Sequence, residues 1–305
     1  MILGLVFSKD RAMQLDAVLA SFFIHVKDAR EIRMTVLYKT STAKHQAQYE
    51  LLAKEYAGRV DFVPEIDFRR QVIDLLISTL SSVKLQSWYR FGQKIGFALP
   101  RGNFQSGDLS EGHVLFLVDD NIFVRSVDIK KMTGALDANP EALGFSLRLG
   151  RNTTYCYSMN TPQALPDFDL LLEGILKFNW TTSEGDFAYP LEVSSSIYSV
   201  KVMLDLLRGL KFNNPNTLEA QISKRRSRYK RRRPALLCNE SSSAFCIPIN
   251  RVQNTYPNRT GQNEELSSQR LAEMFAQGFR IDIEAFSGFV PNACHQEVGL
   301  KFRSK

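Results

Sequence analysis

Asp119, Asp120 and Asn121 stand directly behind Val114-Leu115-Phe116-Leu117-Val118, a run with no polar residue. Adjacent carboxylates at the end of a buried strand are costly unless a cation or hydrogen-bond donors offset them. Hard divalent ions take such oxygen ligands, and Mg2+ or Mn2+ carrying a diphosphate is the usual case. The competing reading is a plain strand-end turn, which Asp and Asn favour. Three more polar clusters follow short apolar runs: Ser8-Lys9-Asp10-Arg11, Lys39-Thr40-Ser41 and Pro64-Glu65. Arg11 could grip a phosphate with its fork of donors, or be a surface arginine. Lys94, ahead of the fourth apolar run, could also neutralise a diphosphate.

The elements that must position these groups read as alternating strands and helices. Residues 2–7, 33–38, 60–63 and 114–118 have the short apolar runs of strands buried on both faces. Residues 13–23, 45–56 and 68–82 carry apolar side chains at helical spacing. Such alternation predicts an α/β fold with a mostly parallel central sheet flanked by helices. Ligands of such sheets sit beyond the carboxyl ends of the strands, so the four polar clusters outline one site. The second half is less regular, with strands expected at 143–149 and 189–193. Helices are expected at 200–210, from Leu218 onward, and at 264–277 before Gly278. With no repeat and no clear linker, a single domain over 1–305 is expected, with an irregular C-terminal half.

Composition narrows the class. The chain has 305 residues, 44% apolar and 23% charged, which excludes a disordered chain, a collagen-like repeat and a small disulfide scaffold. Its net charge of +7 has one source, the run KRRSRYKRRR at 224–233, without which the remainder sums to −1. That run could meet an anionic membrane, could bind nucleic acid through phosphates, or could be a solvated loop. Tyr229 is its one aromatic residue, so base stacking has little support and nucleic acid is disfavoured as a partner. Cys156, Cys238, Cys246 and Cys294 show no C-x-x-C spacing. The opening MILGLVFSKDR has no basic stretch before its apolar run and reads as a first strand. A cytoplasmic protein, free or peripheral at the inner face of the membrane, is expected.

The order of LGLVFSKDRAMQLDAVLASF, VLYKTST, VDFVPE and VLFLVDDNIF resembles that in nucleotide-sugar glycosyltransferases of the GT-A fold, family-2-like. The match covers roughly residues 1–130 and continues more loosely to about 220. It implies a Rossmann-like GT-A domain, with a nucleotide-sugar-binding half at 1–130 and an acceptor-binding half at 131–305. It implies that Ser8 and the Lys39-Thr40-Ser41 loop surround the nucleobase and that Glu65 lies near the base or ribose. It puts Asp119-Asp120-Asn121 in the place of the family's D-x-D motif, which holds the ribose and a metal bridging two phosphates. Asn121 departs from relatives that carry a third acid there, though an amide oxygen can still ligate. The resemblance also implies a late histidine completing a manganese shell, for which His295 is the candidate; a structural role is the alternative. Polysaccharide or glycoconjugate assembly is the setting it suggests.

An acceptor, saccharide or lipid-linked, should meet the second half. Phe178-Asn179-Trp180 and Gly185-Asp186-Phe187-Ala188-Tyr189 mix aromatic and polar groups. Trp180 is a candidate sugar platform or a core residue, and Tyr189 a second acceptor contact. A transferase that inverts the anomeric carbon needs a carboxylate to take the acceptor proton. Glu219, early in a helix where the dipole would keep it ionised, resembles the family's base; it could equally be a cap. Asp186 is the other candidate. Asn250-Arg251 could add a basic residue near phosphate. Two further readings remain: a non-catalytic docking module, and a metal-dependent nucleotidyltransferase that releases pyrophosphate. A dinucleotide oxidoreductase is disfavoured, because the first turn has no glycine.

Overall fold

The computed structural model describes residues 1–81, 86–87, 89–90, 112–250 and 266–304. Lys94 and Arg251 therefore lie outside the described residues. The first half runs β1 (Ile2–Lys9), α1 (Ala12–His25), β2 (Ile32–Lys39), α2 (Ala43–Glu55), β3 (Val60–Pro64), α3 (Phe68–Ser78), β4 (His113–Val118) and β5 (Asn121–Phe123). The second half continues with α4 (Ile129–Ala138), β6 (Ala142–Ser146), β7 (Tyr155–Cys156), β8 (Thr161–Pro162), β9 (Asp169–Leu172), β10 (Ile175–Asn179) and β11 (Ser196–Ser199). After these come α5 (Val200–Leu207), α6 (Pro215–Lys224), β12 (Ala235–Asn239), β13 (Ala244–Cys246), α7 (Ser268–Ala276), β14 (Phe279–Ile281) and β15 (Phe302–Ser304).

One nine-stranded sheet, in the order β3-β2-β1-β4-β11-β6-β12-β10-β9, carries both halves. β1, β2, β3 and β4 are mutually parallel, as are β6 and β12, while β11 and β10 run against their neighbours. The fold is thus α/β with a mostly parallel sheet flanked by helices, as the alternation predicts. In β1, Leu3, Leu5 and Phe7 pack on one face with α3, α5 and α6. Ile2 and Val6 pack on the other face with α1, α2 and α7. That period of two makes an apolar run buried on both sides the only stable choice. Gly144 matters in β6: a Cβ there would lie 2.5 Å from the Tyr198 ring, so glycine lets that ring cross the strand.

The second half differs in detail from the periodicity. Residues 189–193 form no strand; the strand lies at Ser196–Ser199, entered through Ser195 at φ 69. Helix α6 begins at Pro215, because Asn214 and Thr217 close a reciprocal capping box ahead of Leu218. Strands β9, β10 and β12 extend the sheet beyond anything the apolar pattern marks. Among the described residues, no helix is long and apolar enough to cross a membrane.

Candidate active site

The carboxyl ends of β1, β2, β3, β4 and β6 open on a cleft of about 1170 Å3. Its wall includes Ser8, Arg11, Lys39, Glu65, Asp119 and Asp120 from the first half. From the second half it includes Arg148, Asp186, Tyr189, Glu219 and His295.

Asp119 clasps two strand ends. Its Oδ2 accepts from Ser8 Oγ (2.9 Å) and Lys9 N (3.1 Å), and its Oδ1 accepts from Arg11 Nη1 (2.9 Å). Arg11 Nε in turn donates to Asn250 Oδ1 at 2.9 Å. Asp120 is treated differently. Its Oδ1 is buried with no hydrogen-bond partner among the described residues. Burial, with the charge of Asp119 adding to it, pushes its carboxyl up to about 6 against the pull of Arg11 and Arg148.

Asn121 does not face the cleft. It is fully buried, its Oδ1 accepts from Val118 N (2.8 Å), and its Nδ2 donates to Cys246 Sγ (3.0 Å) and Ser195 Oγ (3.3 Å). Its amide oxygen is spent on the turn below Asp120, so the strand-end turn describes Asn121 and a metal ligand does not. Lys39 Nζ pairs with Glu65 Oε1 at 3.1 Å on the cleft wall. Thr40 and Ser41 shape the adjoining loop instead of lining the cleft. Thr40 Oγ1 donates to Gln46 Oε1 (3.0 Å), and Ser41 N and Oγ both donate to Asp10, at 2.7 Å each. Asp10 sits at φ 55, a left-handed conformation that Asp tolerates better than most residues.

The second-half wall is built around Arg148, which the sequence reading passed over. It follows β6 by two residues and is buried. One guanidinium nitrogen donates to Glu192, while Nη1 meets Cys246 Sγ (3.2 Å) and His295 Nε2 (3.3 Å). A guanidinium can only donate, so that imidazole nitrogen must accept. Burial, then the charge of Arg148, pushes His295 down to about 3, so it is neutral and its facing lone pair is engaged. Glu192 is placed by Tyr198, whose hydroxyl accepts from Glu192 N (3.0 Å) and donates to Pro190 O (3.0 Å).

Two acids stand on the second-half wall. Glu219 Oε1 accepts from Tyr189 Oη (3.1 Å), and Oε2 accepts from Val193 N (2.9 Å). Burial raises its carboxyl, so desolvation outweighs the helix-start effect expected from the sequence. Asp186 sits in a short 3-10 turn after Gly185, whose φ is 56. Its Oδ1 accepts from Cys156 Sγ at 3.6 Å, but its Oδ2 is buried without a partner among the described residues. Burial raises this carboxyl too, opposed chiefly by Arg148. Trp180 lies in the core instead of at the cleft: it is 2% exposed, and its Nε1 donates to Arg233 O at 2.8 Å. The aromatic side chains lining the cleft are Phe7, Phe68, Tyr189 and Tyr157, the last with its ring 6.2 Å from that of His295.

Among the described residues no three His, Cys, Asp or Glu side chains form a metal cluster. The atom that suits a hard cation is Asp120 Oδ1, oriented and unpaired. The cleft wall also carries five carboxylates against four basic side chains, so an anionic diphosphate would meet no positive excess there. A divalent ion at Asp120 fits both observations.

No family model matches the chain. It is 27% identical over 278 residues to the bifunctional glycosyltransferase pgtA of Dictyostelium discoideum, which covers 83% of this chain and 32% of that protein. The chain therefore spans about a third of the curated relative's length. Among solved structures it overlays on S. aureus TarS with a TM-score of 0.43 and 12% identity, covering 78% of this chain and 35% of that one. TarS 1–349 in complex with UDP-GlcNAc gives 0.42 and 13%, with coverage of 79% and 56%. Mouse xyloside xylosyltransferase 1 gives 0.30 and 12%, with 76% of each chain. The curated relative carries the name that the order of motifs implied: this chain is a homologue of a glycosyltransferase.

Proposed function

We propose that the chain transfers a sugar from a nucleoside-diphosphate donor to an acceptor hydroxyl, with inversion at the anomeric carbon. The observation that carries this reading is one cleft lined by two partly buried carboxylates, Asp120 and Asp186, each with one enclosed oxygen that has no partner among the described residues. One suits a cation and the other a proton, the two needs of such a transfer. The 27% identity to a glycosyltransferase supports the same reaction class.

In this mechanism Ser8, Lys39 and Glu65 border the base and ribose, and Asp119, saturated by Ser8, Lys9 and Arg11, fixes the cleft floor. Asp120 would hold Mn2+ or Mg2+, and that ion would supply positive charge to offset the departing diphosphate. Arg11, held by Asp119 and by Asn250 through all three guanidinium nitrogens, adds fixed positive charge on the phosphate side. Asp186 Oδ2 takes the proton of the acceptor hydroxyl as its oxygen bonds to the anomeric carbon and the bond to the diphosphate breaks. A carboxyl raised by burial is better matched to that task at neutral pH than an ordinary aspartate. Both oxygens of Glu219 already accept hydrogen bonds, so it orients Tyr189 and the Val193 backbone and stands second as the base. Tyr189 and Tyr157 offer ring surface to a saccharide or lipid-linked acceptor.

The test is thermal shift with a panel of nucleoside diphosphates and nucleotide sugars, with and without Mn2+. One nucleotide class should raise Tm in the presence of metal, and Asp120→Ala should abolish that gain. Product analysis with the matching nucleotide sugar should give the nucleoside diphosphate. No shift with any member of the panel, or release of pyrophosphate, overturns the reading.

A further inference from the structure

The basic run leads away from the cleft. Its last residue is fastened at the opposite edge of the sheet, where Arg233 Nη1 donates to Ala142 O (2.8 Å), and Trp180 donates through Nε1 to Arg233 O (2.8 Å) and through N to Pro234 O (3.0 Å). Ala142 opens β6, whereas Arg148, just beyond the other end of that strand, lines the cleft. Six residues of extended chain separate the two by about 20 Å. None of residues 224–233 lines the cleft.

The run is a folded knob. Successive turns close it: Arg228 N to Arg225 O (3.1 Å), Tyr229 N to Arg226 O (3.0 Å), Arg232 N to Tyr229 O (3.0 Å) and Arg233 N to Tyr229 O (2.7 Å). Arg225 and Arg233 spend guanidinium donors on backbone carbonyls. Lys224, Arg226, Arg228, Lys230, Arg231 and Arg232 are exposed, and among the described residues none of the six makes a side-chain hydrogen bond or ion pair. Six uncompensated cations on one short knob repel one another, and a polyanion relieves that repulsion. Tyr229, the run's one aromatic, is packed against the core, which leaves no ring for stacking on a nucleobase.

The rest of the molecule is close to neutral. Outside the run the sequence sums to −1, and the cleft wall carries more carboxylates than basic side chains. An extended anionic surface would attract the knob and find no positive excess at the cleft.

We propose that the knob formed by 224–233 docks the protein on an anionic lipid bilayer, with the cleft turned away from the membrane toward solvent. Docking is independent of the transfer chemistry, so it stands or falls separately from the proposed reaction. Each basic residue near such a surface contributes about fivefold in partitioning. Removing four should weaken binding by at least 100-fold, and raising salt to about 1 M, where the screening length falls to about 3 Å, should release the protein.

The experiment is co-sedimentation of the full chain with vesicles of phosphatidylcholine alone and of phosphatidylcholine with 30 mol% phosphatidylserine. The combined variant Arg228→Gln, Lys230→Gln, Arg231→Gln, Arg232→Gln removes exposed charges that make no side-chain contact, and its Tm should match the parent. Expected is binding to the anionic vesicles only, lost in the variant and in high salt. A 16-base-pair RNA duplex serves as the competing polyanion. Equal binding to both vesicle types, an unaffected variant, no binding at low salt, or tighter binding to the duplex than to the anionic vesicles would each overturn the proposal.

Discussion

Asp120→Asn should make the metal-free protein more stable at pH 8 and leave it unchanged near pH 4. Asp120 is partly buried on the cleft wall with its Oδ1 enclosed, and its carboxyl is raised from 3.8 to about 6, chiefly by desolvation. Between those two values the folded protein holds a proton that the unfolded chain releases. Stability therefore falls as pH rises from about 4 through 6, and the loss is complete above that range. The gap converts to roughly 3 kcal/mol of cost at neutral pH. Asparagine removes the charge at nearly constant volume and so removes most of that cost. At about 2 °C per kcal/mol for a chain of this size, Tm should rise by about 5 °C at pH 8. The measurement is Tm against pH from 4 to 8.5, in a chelator, for parent and variant. The two curves should meet at the acid end and part through pH 6. A constant offset across the range, or a less stable variant at pH 8, would refute the claim that Asp120 is buried as an uncompensated acid. The same variant should lose the Mn2+-dependent stabilisation by nucleoside diphosphates, so one substitution separates what the site costs from what it does.

Arg148→Met should lower stability by about 3–5 kcal/mol, since it strands Glu192 in the interior; adding Glu192→Gln should restore much of it, read by chemical denaturation. Asp186→Asn should leave Mn2+-dependent nucleotide binding intact while lowering turnover by roughly 10²–10⁴-fold, read by nucleoside-diphosphate release. Trp180→Phe should cost about 1 kcal/mol through the lost indole hydrogen bond to Arg233 O and leave acceptor kinetics unchanged, which steady-state assays would check.

The parallel part of the sheet was legible because its physics is local. A strand buried on both faces must be apolar throughout, so β1, β2 and β4 stand out as runs, and the polar residues that end them mark the ligand-binding edge. The same logic applies to Arg148, the basic residue that ends the apolar stretch of β6. The antiparallel additions were not legible. β9 and β11 are four residues each, too short for any periodicity to show. The partner that makes β11 a strand, β4, lies some 80 residues away in sequence. Asn121 and Trp180 misled for a related reason. Both residue types suit a sugar-nucleotide site, and composition cannot tell an amide facing a cleft from one facing Val118 N.

Burial of charge is what sets this cleft apart from an ordinary strand-end loop. Asp120, Asp186, Glu192 and Glu219 are all raised by desolvation, and Arg148 is a counter-charge common to the four. A fold under no functional constraint would relieve that burden with apolar side chains of similar size, which are often as stable or more so. Here the scaffold instead invests in holding the acids: Gly144 clears room for Tyr198, Tyr198 places Glu192, and Glu192 fixes Arg148 between Asp120 and Asp186. Asp120 and Asp186 line the cleft, and each keeps one enclosed oxygen without a partner among the described residues. Breaking Arg148 should therefore disturb both at once. In Arg148→Lys the charge is kept and the fork is lost. That variant should retain most of the Mn2+-dependent nucleotide binding lost in Arg148→Met, whereas a purely steric role for Arg148 would leave the two variants equally impaired.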